Sequence, residues 1–394
     1  MRSKIHFQQN LLLSEQALVN AMRILVLCHE FPPIGGGAAA VCAALSAEYR
    51  ALDNEVVVIT MGSDGVPRQE QIDGCEIHRV DCGRRRREMA SPWEGLVWAN
   101  RAWKMVNQLH SRKPFDAVHA HFIMPAGIVA HRLKRQAGVP YIITPHGSDV
   151  PGYNRERLKL AHVVARPWWR RICATADRVV CPSASLLHLM QKSLRHFDGH
   201  VIPNGFVPGR FLHLKKQKRI LLCSRLIERK GFQYFLEAIR DLDLPEWEVD
   251  IVGDGPMLPR LTELANRCRV PVHLHGWINN DDPRLAEFYG RASIFAFPSE
   301  WENFSIALLE AMSAGCAVIT TGISGNPEAI GGTGLLVQPR DVIALREAVQ
   351  ALVAVPDRCV ELGRLARARV LDKFDWGVLG REYTDMLSII QVNG

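Results

Sequence analysis

Residues 219–239, RILLCSRLIERKGFQYFLEAI, contain the pattern that decides the fold. Arg219 to Cys223 is a short apolar run that predicts a buried strand, and Gly231 to Ile239 has the spacing of an amphipathic helix. A charged loop joins them. A buried strand that leads into a helix is typical of a parallel sheet covered by helices on both faces.

The same alternation of strand and helix runs through both halves of the chain. Predicted strands of the first half lie at 24–28, 56–59, 117–119, 141–143 and 179–181, and those of the second half at 219–223, 249–252, 272–274, 294–297 and 317–319. Turn residues at 203–209 separate the two series. We therefore predict an α/β protein with two Rossmann-like, doubly wound domains that face each other across a cleft.

Three boundaries divide the chain. Residues 1–21 have no clear period and precede Met22, so we interpret them as a leader that is disordered or loosely attached. Residues 22–209 form the first domain and 210–375 the second. The amphipathic segment 376–392 predicts a final helix that crosses back to the first domain.

Composition excludes several classes of protein. With 394 residues, 47% of them hydrophobic and 23% charged, the chain is neither disordered nor fibrous. No apolar run approaches the roughly 20 residues that span a bilayer, and 11–13 is too short for a secretory signal. Its ten cysteines form no Cys-x-x-Cys pair, which indicates buried thiols in a reducing cytoplasm rather than zinc ligands or disulfides.

Charge is spread unevenly. Residues 1–210 hold 27 Lys and Arg against 17 Asp and Glu, whereas residues 211–394 hold 21 against 24. Basic residues accompany tryptophans at 155–171, which include Trp168 and Trp169, and Arg84 to Arg87 precede Trp93, Trp98 and Trp103. These segments suit an anionic membrane or a phosphate-bearing, lipid-linked acceptor, and equally a solvated face above core tryptophans. Nucleic acid is disfavoured because no recognition motif is present.

Two loops have the composition of phosphate sites. Gly35-Gly36-Gly37 lies between the first strand and the first helix, where backbone N–H groups can approach an anion. The loop after Cys223 carries Arg225 and Lys230, which can both point into the cleft and hold a diphosphate. Taken alone, the glycine motif is equally consistent with a flexible loop of no function. The Arg225 and Lys230 motif, taken alone, is equally consistent with an ordinary charged loop before a helix.

The most specific motif spans Pro298 to Met312. Glu302 lies just before a predicted helix, and Glu310 lies six residues after Phe304, roughly 9 Å along the helix axis. Free N–H groups at the start of that helix suit a diphosphate. Two carboxylates that bracket an anion site suit a ligand with hydroxyls at both ends, as in a nucleotide sugar.

These motifs together resemble the retaining glycosyltransferases of GT-B fold, family 4. The likeness rests on residues 31–36, on Arg225 with Lys230-Gly231, on 252–256, and on Glu302 and Glu310 with seven residues between them. Residues 119–122, 144–149 and 202–205 also resemble that family, over about residues 22–390 in all. The resemblance is to members of the bacterial surface-polysaccharide type.

The resemblance implies roles for the donor side. Amides of Gly36 and Gly37 would lie near the donor diphosphate, and Arg225 and Lys230 would neutralise it. The Glu310 carboxylate would accept hydrogen bonds from the ribose, and Glu302 would hold the donor sugar. The amides of Asn303, Phe304 and Ser305 would lie beside the phosphate. The base would be framed by Gly253, Asp254, Gly255 and the Trp277-Ile278 backbone. Asn303 and Ser305 stand where glycines are frequent, and Ser305 would narrow the sugar pocket.

Other roles concern the acceptor side and the chemistry. His146 would lie near the transferred sugar as a positioning group, and His121 and Asp149 would lie on the acceptor side. The resemblance implies retention without a covalent nucleophile. Asp241-Leu242-Asp243 matches a metal-binding string, but it lies at a helix end before Pro245, so we expect no metal and no other cofactor.

The sequence therefore predicts a hexosyltransferase. Its donor would be a UDP- or GDP-sugar, and its acceptor a glycan or lipid-linked oligosaccharide. It would act in the cytoplasm, in peripheral contact with the inner face of the membrane. A sugar-nucleotide epimerase on the same fold remains an alternative, which product analysis without acceptor distinguishes. A non-catalytic nucleotide-sugar scaffold is the other alternative, although the presence of Arg225, Lys230, Glu302 and Glu310 argues against it.

Overall fold

The computed structural model describes residues 21–84, 90–153, 159–211, 214–280 and 282–393. Two sheets organise them. The first has eight strands in the order β3-β4-β2-β1-β5-β6-β7-β8, all parallel except the β3–β4 pair. These strands are β1 Arg23–Leu27, β2 Glu55–Met61, β3 Gln69–Ile72, β4 Cys75–Val80, β5 Ala117–His121, β6 Tyr141–Thr144, β7 Arg178–Cys181 and β8 Gly199–Val201.

The second sheet has six parallel strands in the order β11-β10-β9-β12-β13-β14. They are β9 Gln217–Cys223, β10 Glu248–Val252, β11 Val272–Leu274, β12 Ala292–Phe297, β13 Ala317–Thr321 and β14 Gly334–Val337. The central strands are buried on both faces, as continuous apolar runs require. The predicted α/β fold with two doubly wound sheets is confirmed.

Helices cover both faces of each sheet. Those of the first half are α1 Gly37–Ala51, α2 Pro92–Arg112, α3 Ala126–Ala137, α4 Lys159–Thr175 and α5 Ala184–Ser193. Those of the second half are α6 Phe232–Ile239, α7 Leu258–Ala265, α8 Pro283–Arg291, α9 Ile306–Ser313, α10 Asn326–Ile330, α11 Val342–Val353, α12 Pro356–Lys373 and α13 Trp376–Asn393. A 3₁₀ turn at Glu228–Lys230 precedes α6.

The start of α2 shows how local sequence sets an element. Ser91 accepts the Glu94 backbone N–H, and the Glu94 carboxylate accepts the Ser91 N–H, with Pro92 at the first helical position. This capping box satisfies two N–H groups that a helix start otherwise leaves unpaired. The helix predicted to begin at Ser91-Pro92 is thereby confirmed.

The last helix, α13, completes the core of the first domain. Trp376, Leu379, Tyr383, Leu387 and Ile390 pack with β1, β2 and α1 in one buried cluster. The predicted return of the chain to the first domain is confirmed.

Two tryptophans and one arginine of the basic, tryptophan-bearing segments are buried. Trp98 and Trp169 lie in the core, and the Trp169 indole donates to the Asp149 carbonyl oxygen (3.0 Å). Arg84 is buried and donates to the carbonyl oxygen of His29 (2.9 Å). Of the two alternatives left open by the sequence, the structure shows core tryptophans at 98 and 169, because a helix turns only part of its surface outward. Arg85–Arg87, Arg155 and Arg157 lie outside the described residues.

All ten cysteines are free, and eight of them are buried. Within the described ranges, every helix falls short of the length and apolarity needed to cross a membrane.

Candidate active site in the interdomain cleft

Side chains of both domains meet where the strands of the two sheets end. The Ser183 hydroxyl donates to Asn303 Oδ1 (3.0 Å), and Asn204 Nδ2 donates to the Phe304 carbonyl oxygen (3.0 Å). Tyr153 contacts Trp301 edge-on, with ring centroids 5.9 Å apart. In open α/β sheets, the carboxyl ends of the strands are the usual place for a ligand.

An ion pair links the two charged motifs of the second domain. Lys230, at the end of the 3₁₀ turn, pairs with Glu302 in the loop after β12, and the Ser299 hydroxyl donates to Glu302 Oε1 (2.8 Å). Lys230 Nζ also lies 4.8 Å from the centre of the Phe297 ring. Burial lowers the pKa of Lys230, against the opposing effect of the Glu302 charge. The pair holds both charges at one point of the cleft.

Arg225 lies beside this pair but remains exposed. Its positive charge contributes to lowering the pKa of Lys230, so the two cations are close enough to repel. Among the described residues, the Arg225 side chain has no hydrogen-bond or ion-pair partner. A free guanidinium next to a buried lysine favours an anionic ligand.

Glycines allow this loop to lie close to its neighbours. Gly231 has φ +74°, and a Cβ there would lie 2.1 Å from the Pro298 carbonyl oxygen. Gly253 has φ +143°, and a Cβ there would lie 1.8 Å from the Ser224 carbonyl oxygen. Any other residue would force apart the backbone that positions Arg225, Lys230 and Glu302.

The start of α9 provides unpaired backbone N–H groups. Ser305 is the N-cap residue, but its side chain makes no capping hydrogen bond. Asn303 and Phe304 are buried, and both are held by the first domain through Ser183 and Asn204. The first N–H groups of α9 therefore remain available to an anion.

Glu310 lies one turn further along α9 and is buried. Desolvation raises its pKa to about 7, and Arg210 Nη1, 4.0 Å from Glu310 Oε1, opposes the shift. A carboxylate held near half-ionisation can accept hydroxyl hydrogen bonds at neutral pH. Nothing in the sequence indicated the contact between Arg210 and Glu310, because Arg210 lies in a turn 100 residues before Glu310.

The predicted base-binding loop packs against the Arg225 loop. The Leu226 N–H donates to the Asp254 carbonyl oxygen (2.8 Å), and Asp254 Oδ1 accepts the N–H of Gly255 (2.7 Å). Asp254 is exposed, whereas Ile278 is buried with its neighbour Trp277 exposed. These residues therefore border the second domain's side of the cleft.

Gly36 and Gly37 open the α1 helix in the first domain. Gly36 is its N-cap, and a Cβ at either glycine would have no heavy atom within 4 Å. The N-terminus of α1 is therefore unobstructed, as an anion site requires.

Four histidines line the same end of the first sheet. His121 Nδ1 and His146 Nε2 are 3.1 Å apart, and His119 stacks on His121 with ring centroids 4.2 Å apart. Burial lowers the pKa of His29, His119 and His146 to about 3 each, and the pKa of His121 is lowered as well. These four imidazoles are therefore neutral at physiological pH.

Asp149 ties two loops of the first domain together. Its Oδ2 accepts the Ile123 N–H (2.7 Å), and its Oδ1 accepts the His146 N–H (3.0 Å). Burial raises its pKa to about 6, although these amides favour the carboxylate. Asp149 thus fixes the backbone on which His146 is carried.

The Asp241–Asp243 string lies away from this cleft. It follows the end of α6, where Asp241 pairs with Arg240 and lies 3.9 Å from Arg346. Within the described ranges, no group of three or more His, Cys, Asp or Glu residues is arranged to hold a metal ion.

Comparison with known proteins agrees with this architecture. Residues 35–210 match the family described as Glycosyltransferase Family 4, and residues 217–354 match Glycosyl transferases group 1. The alpha-maltose-1-phosphate synthase of Mycolicibacterium smegmatis is 26% identical over 402 residues, 92% of this chain and 97% of that protein. The chain belongs to the family 4 glycosyltransferases.

Two further similarities concern the fold and the relatives' substrates. Sucrose-phosphate synthase from Thermosynechococcus elongatus superimposes with a TM-score of 0.82 at 21% identity, covering 95% of this chain and 100% of that one. The Escherichia coli UDP-Gal:alpha-D-GlcNAc-diphosphoundecaprenol alpha-1,3-galactosyltransferase is 29% identical over 64% of this chain and 68% of that protein. The fold is GT-B.

Proposed function

We propose that the protein is a retaining hexosyltransferase that uses a UDP- or GDP-sugar and acts on a glycan or lipid-linked oligosaccharide in polysaccharide biosynthesis. One observation carries the proposal. The free Arg225 guanidinium, the Lys230–Glu302 pair and the uncapped start of α9 lie together, with the buried Glu310 one turn beyond. This order of groups fits a diphosphate between a sugar and a ribose.

The positive groups fit the charge that develops during transfer. When the bond between sugar and diphosphate breaks, negative charge grows on the leaving oxygen, and Arg225, Lys230 and the α9 N–H groups stabilise it. Since these groups supply the positive charge, we propose that no metal ion is required. Glu310 accepts the ribose hydroxyls.

Retention is proposed without a covalent sugar intermediate. Glu302 is a carboxylate of this site, but its ion pair with Lys230 and its hydrogen bond from Ser299 suit a residue that holds sugar hydroxyls rather than a nucleophile. The acceptor hydroxyl then attacks on the face from which the diphosphate departs. His146 positions the sugar, while His121 and Asp149 hold His146 from the acceptor side.

A lipid-linked acceptor is the finer part of the proposal. The E. coli relative is named for a UDP donor and a diphosphoundecaprenol acceptor. In this chain, Trp93, Leu96 and Trp168 are exposed on the first domain, and exposed Arg166 and Arg171 lie near Trp168 along α4. We propose that the protein works in the cytoplasm, in peripheral contact with the inner face of an anionic membrane.

Calorimetric titration with UDP, GDP, ADP and NAD in the presence of EDTA tests the donor assignment. We expect saturable binding of one nucleoside diphosphate. Binding that needs added metal, or binding of NAD alone, would contradict the donor site proposed here. Product analysis with and without a glycan acceptor then separates transfer from epimerisation, because an epimerase turns over its donor alone.

A further inference from the structure

A cavity of about 450 Å³ opens on the outer face of the first domain, between α2, α3 and α4. Its walls include Trp103 of α2, Trp168 of α4, and His131, Arg132 and Arg135 of α3. None of the proposed donor-binding or acceptor-side residues lines it. We call it the rear cavity.

The polar lining of the rear cavity is basic. His131 is only 5% exposed; its Nδ1 is bonded to Thr175 Oγ1 (2.9 Å), and its buried Nε2 has no partner. Arg132 and Arg135 are exposed at the rim, and neither has a side-chain partner among the described residues. Among the residues that the structure describes, no carboxylate lines the cavity, so its chemistry suits an anion rather than a cation or a sugar.

The neighbouring turns of α4 add more unpaired positive charge. Arg166 and Arg171 are exposed, and within the described part of the chain no carboxylate or hydrogen-bond acceptor pairs with either side chain. Burial lowers the pKa of His131, and the positive charges of Arg171 and Arg135 lower it further, which places them close to that imidazole. An anion bound there would relieve the mutual repulsion of these groups.

Large apolar side chains stand beside the same rim. Trp168 is 60% exposed, and Val164, one turn earlier on the same side of α4, is 71% exposed. An exposed tryptophan and valine among unpaired arginines form the pattern of a surface that enters the interfacial region of a bilayer.

We propose that the rear cavity binds the phosphate headgroup of an anionic membrane lipid, while Val164 and Trp168 enter the bilayer interface beside it. This inference rests on the membrane contact proposed above, and it assigns that contact to the rear cavity and its rim. Arg132 and Arg135 bind the phosphate oxygens. Trp103 and Trp168 contact the apolar start of the acyl chains.

Vesicle co-sedimentation of the full chain tests the proposal. We expect retention on vesicles of phosphatidylglycerol and phosphatidylcholine, and little on phosphatidylcholine alone. The Arg132→Gln, Arg135→Gln double variant should bind anionic vesicles roughly 30-fold more weakly, since each basic residue near an anionic surface contributes a factor of about five. Trp168→Ser should also weaken retention.

Matched controls come from α12 of the second domain. Arg358 is an exposed arginine without a side-chain partner in the described ranges, and Val360 is 65% exposed. Arg358→Gln and Val360→Ser should leave retention unchanged. Equal retention on neutral vesicles, or undiminished retention of the double variant, would overturn the proposal.

Inorganic phosphate separates a lipid headgroup from a free anion. Saturable binding of phosphate without vesicles, lost in the arginine double variant but unaffected by Trp168→Ser, would make the occupant a soluble phosphate and overturn the membrane assignment. Nucleotide titration of each variant serves as the folding check. A protein that binds anionic vesicles through Arg132 and Arg135 but binds no nucleotide would refute the proposed donor and leave this inference standing.

Discussion

The two walls of the cleft differ in the charge of their side chains. On the second domain, Lys230 pairs with Glu302, Arg225 stands free, and Glu310 has a pKa raised to about 7. On the first domain, His119 and His146 have pKa values lowered to about 3 and are neutral. The comparison teaches that the charged side chains suited to a leaving diphosphate lie on the second domain, whereas the first domain offers the backbone N–H groups at the start of α1 and neutral imidazoles suited to hydroxyls.

Removing the cations should have the largest effect. We expect Arg225→Ala with Lys230→Ala to lower kcat/KM by roughly 10³-fold or more, because each preorganised group that stabilises a leaving oxygen contributes about 10²–10³. Steady-state kinetics measure the loss. A second variant, Lys230→Ala with Glu302→Gln, measures the loss of the lysine without leaving the Glu302 carboxylate buried and unpaired. Arg358→Ala is the matched control. Turnover that survives in the Arg225, Lys230 variant would refute the diphosphate assignment.

Removing His146 tests the neutral wall. We expect His146→Ala to lower kcat about 10²-fold through mispositioned sugar, while nucleoside diphosphate binding stays unchanged. Because the pKa of His146 is about 3, the wild-type rate should show no titration of this histidine between pH 5 and 8. Kinetics and calorimetry measure both quantities, with exposed His188→Ala as the control. Loss of nucleotide binding would place His146 on the donor side instead.

Neutralising Glu310 should weaken nucleotide binding by roughly 10-fold or more at pH 8, since hydrogen bonds to a carboxylate exceed neutral ones. In the wild type, nucleotide affinity should fall as the pH drops through about 7 and the carboxylate becomes protonated. Calorimetry of Glu310→Gln at several pH values measures this, with exposed Glu347→Gln as the control. Affinity independent of both pH and substitution would exclude Glu310 from the site.

The same substitution should stabilise the fold at high pH. The folded-state pKa of Glu310 lies above its unfolded value, so its protonated form stabilises the native state, and this stabilisation is lost as the pH rises through about 7. Glu310→Gln should therefore raise Tm at pH 8 and leave it nearly unchanged at pH 5. Thermal unfolding of wild type and variant at the two pH values tests this. A Tm of Glu310→Gln below that of the wild type at pH 8 would contradict a destabilising effect of the ionised Glu310 carboxylate.

The smallest effect on kcat/KM is expected from removing a contact between the two domains. The Glu328 carboxylate of α10 accepts the Ala184 N–H (2.8 Å) and the Ser185 N–H (3.1 Å) at the start of α5, across the domain interface. Losing such a helix cap costs about 1 kcal/mol, so Glu328→Gln should lower kcat/KM roughly fivefold. Kinetics and small-angle scattering measure activity and domain separation, with exposed Glu361→Gln as the control. An unchanged radius and rate would show that this contact does not hold the cleft closed.

Sequence patterns predicted the elements of the fold better than the contacts of the site. Continuous apolar strands and the Ser91-Pro92 cap are local signals, and the structure shows both. The hairpin of β3 and β4 escaped notice because Gln69–Ile72 is half exposed, with hardly any apolar side chains to reveal a period.

Contacts between distant residues were beyond sequence reasoning. Lys230 and Glu302 were predicted for diphosphate and sugar separately, yet they form one ion pair across 72 positions. The sequence left surface and core equally open for Trp168 and Trp169, and the packing of α4 turns Trp169 into the core and leaves Trp168 outside. The rotation of a helix about its axis depends on tertiary packing, which composition does not encode.

The return of α13 to the first domain has a consequence for how the protein is made. Trp376, Tyr383 and Leu387 fill the core beside β1, whose residues are synthesised some 350 positions earlier. At translation rates of about 5–20 residues per second, the first domain must wait on the order of ten seconds after its own last strand before these side chains emerge. A nascent chain therefore carries an unfinished N-terminal core throughout synthesis of the second domain, and a truncation before 376 would damage the domain that was translated first.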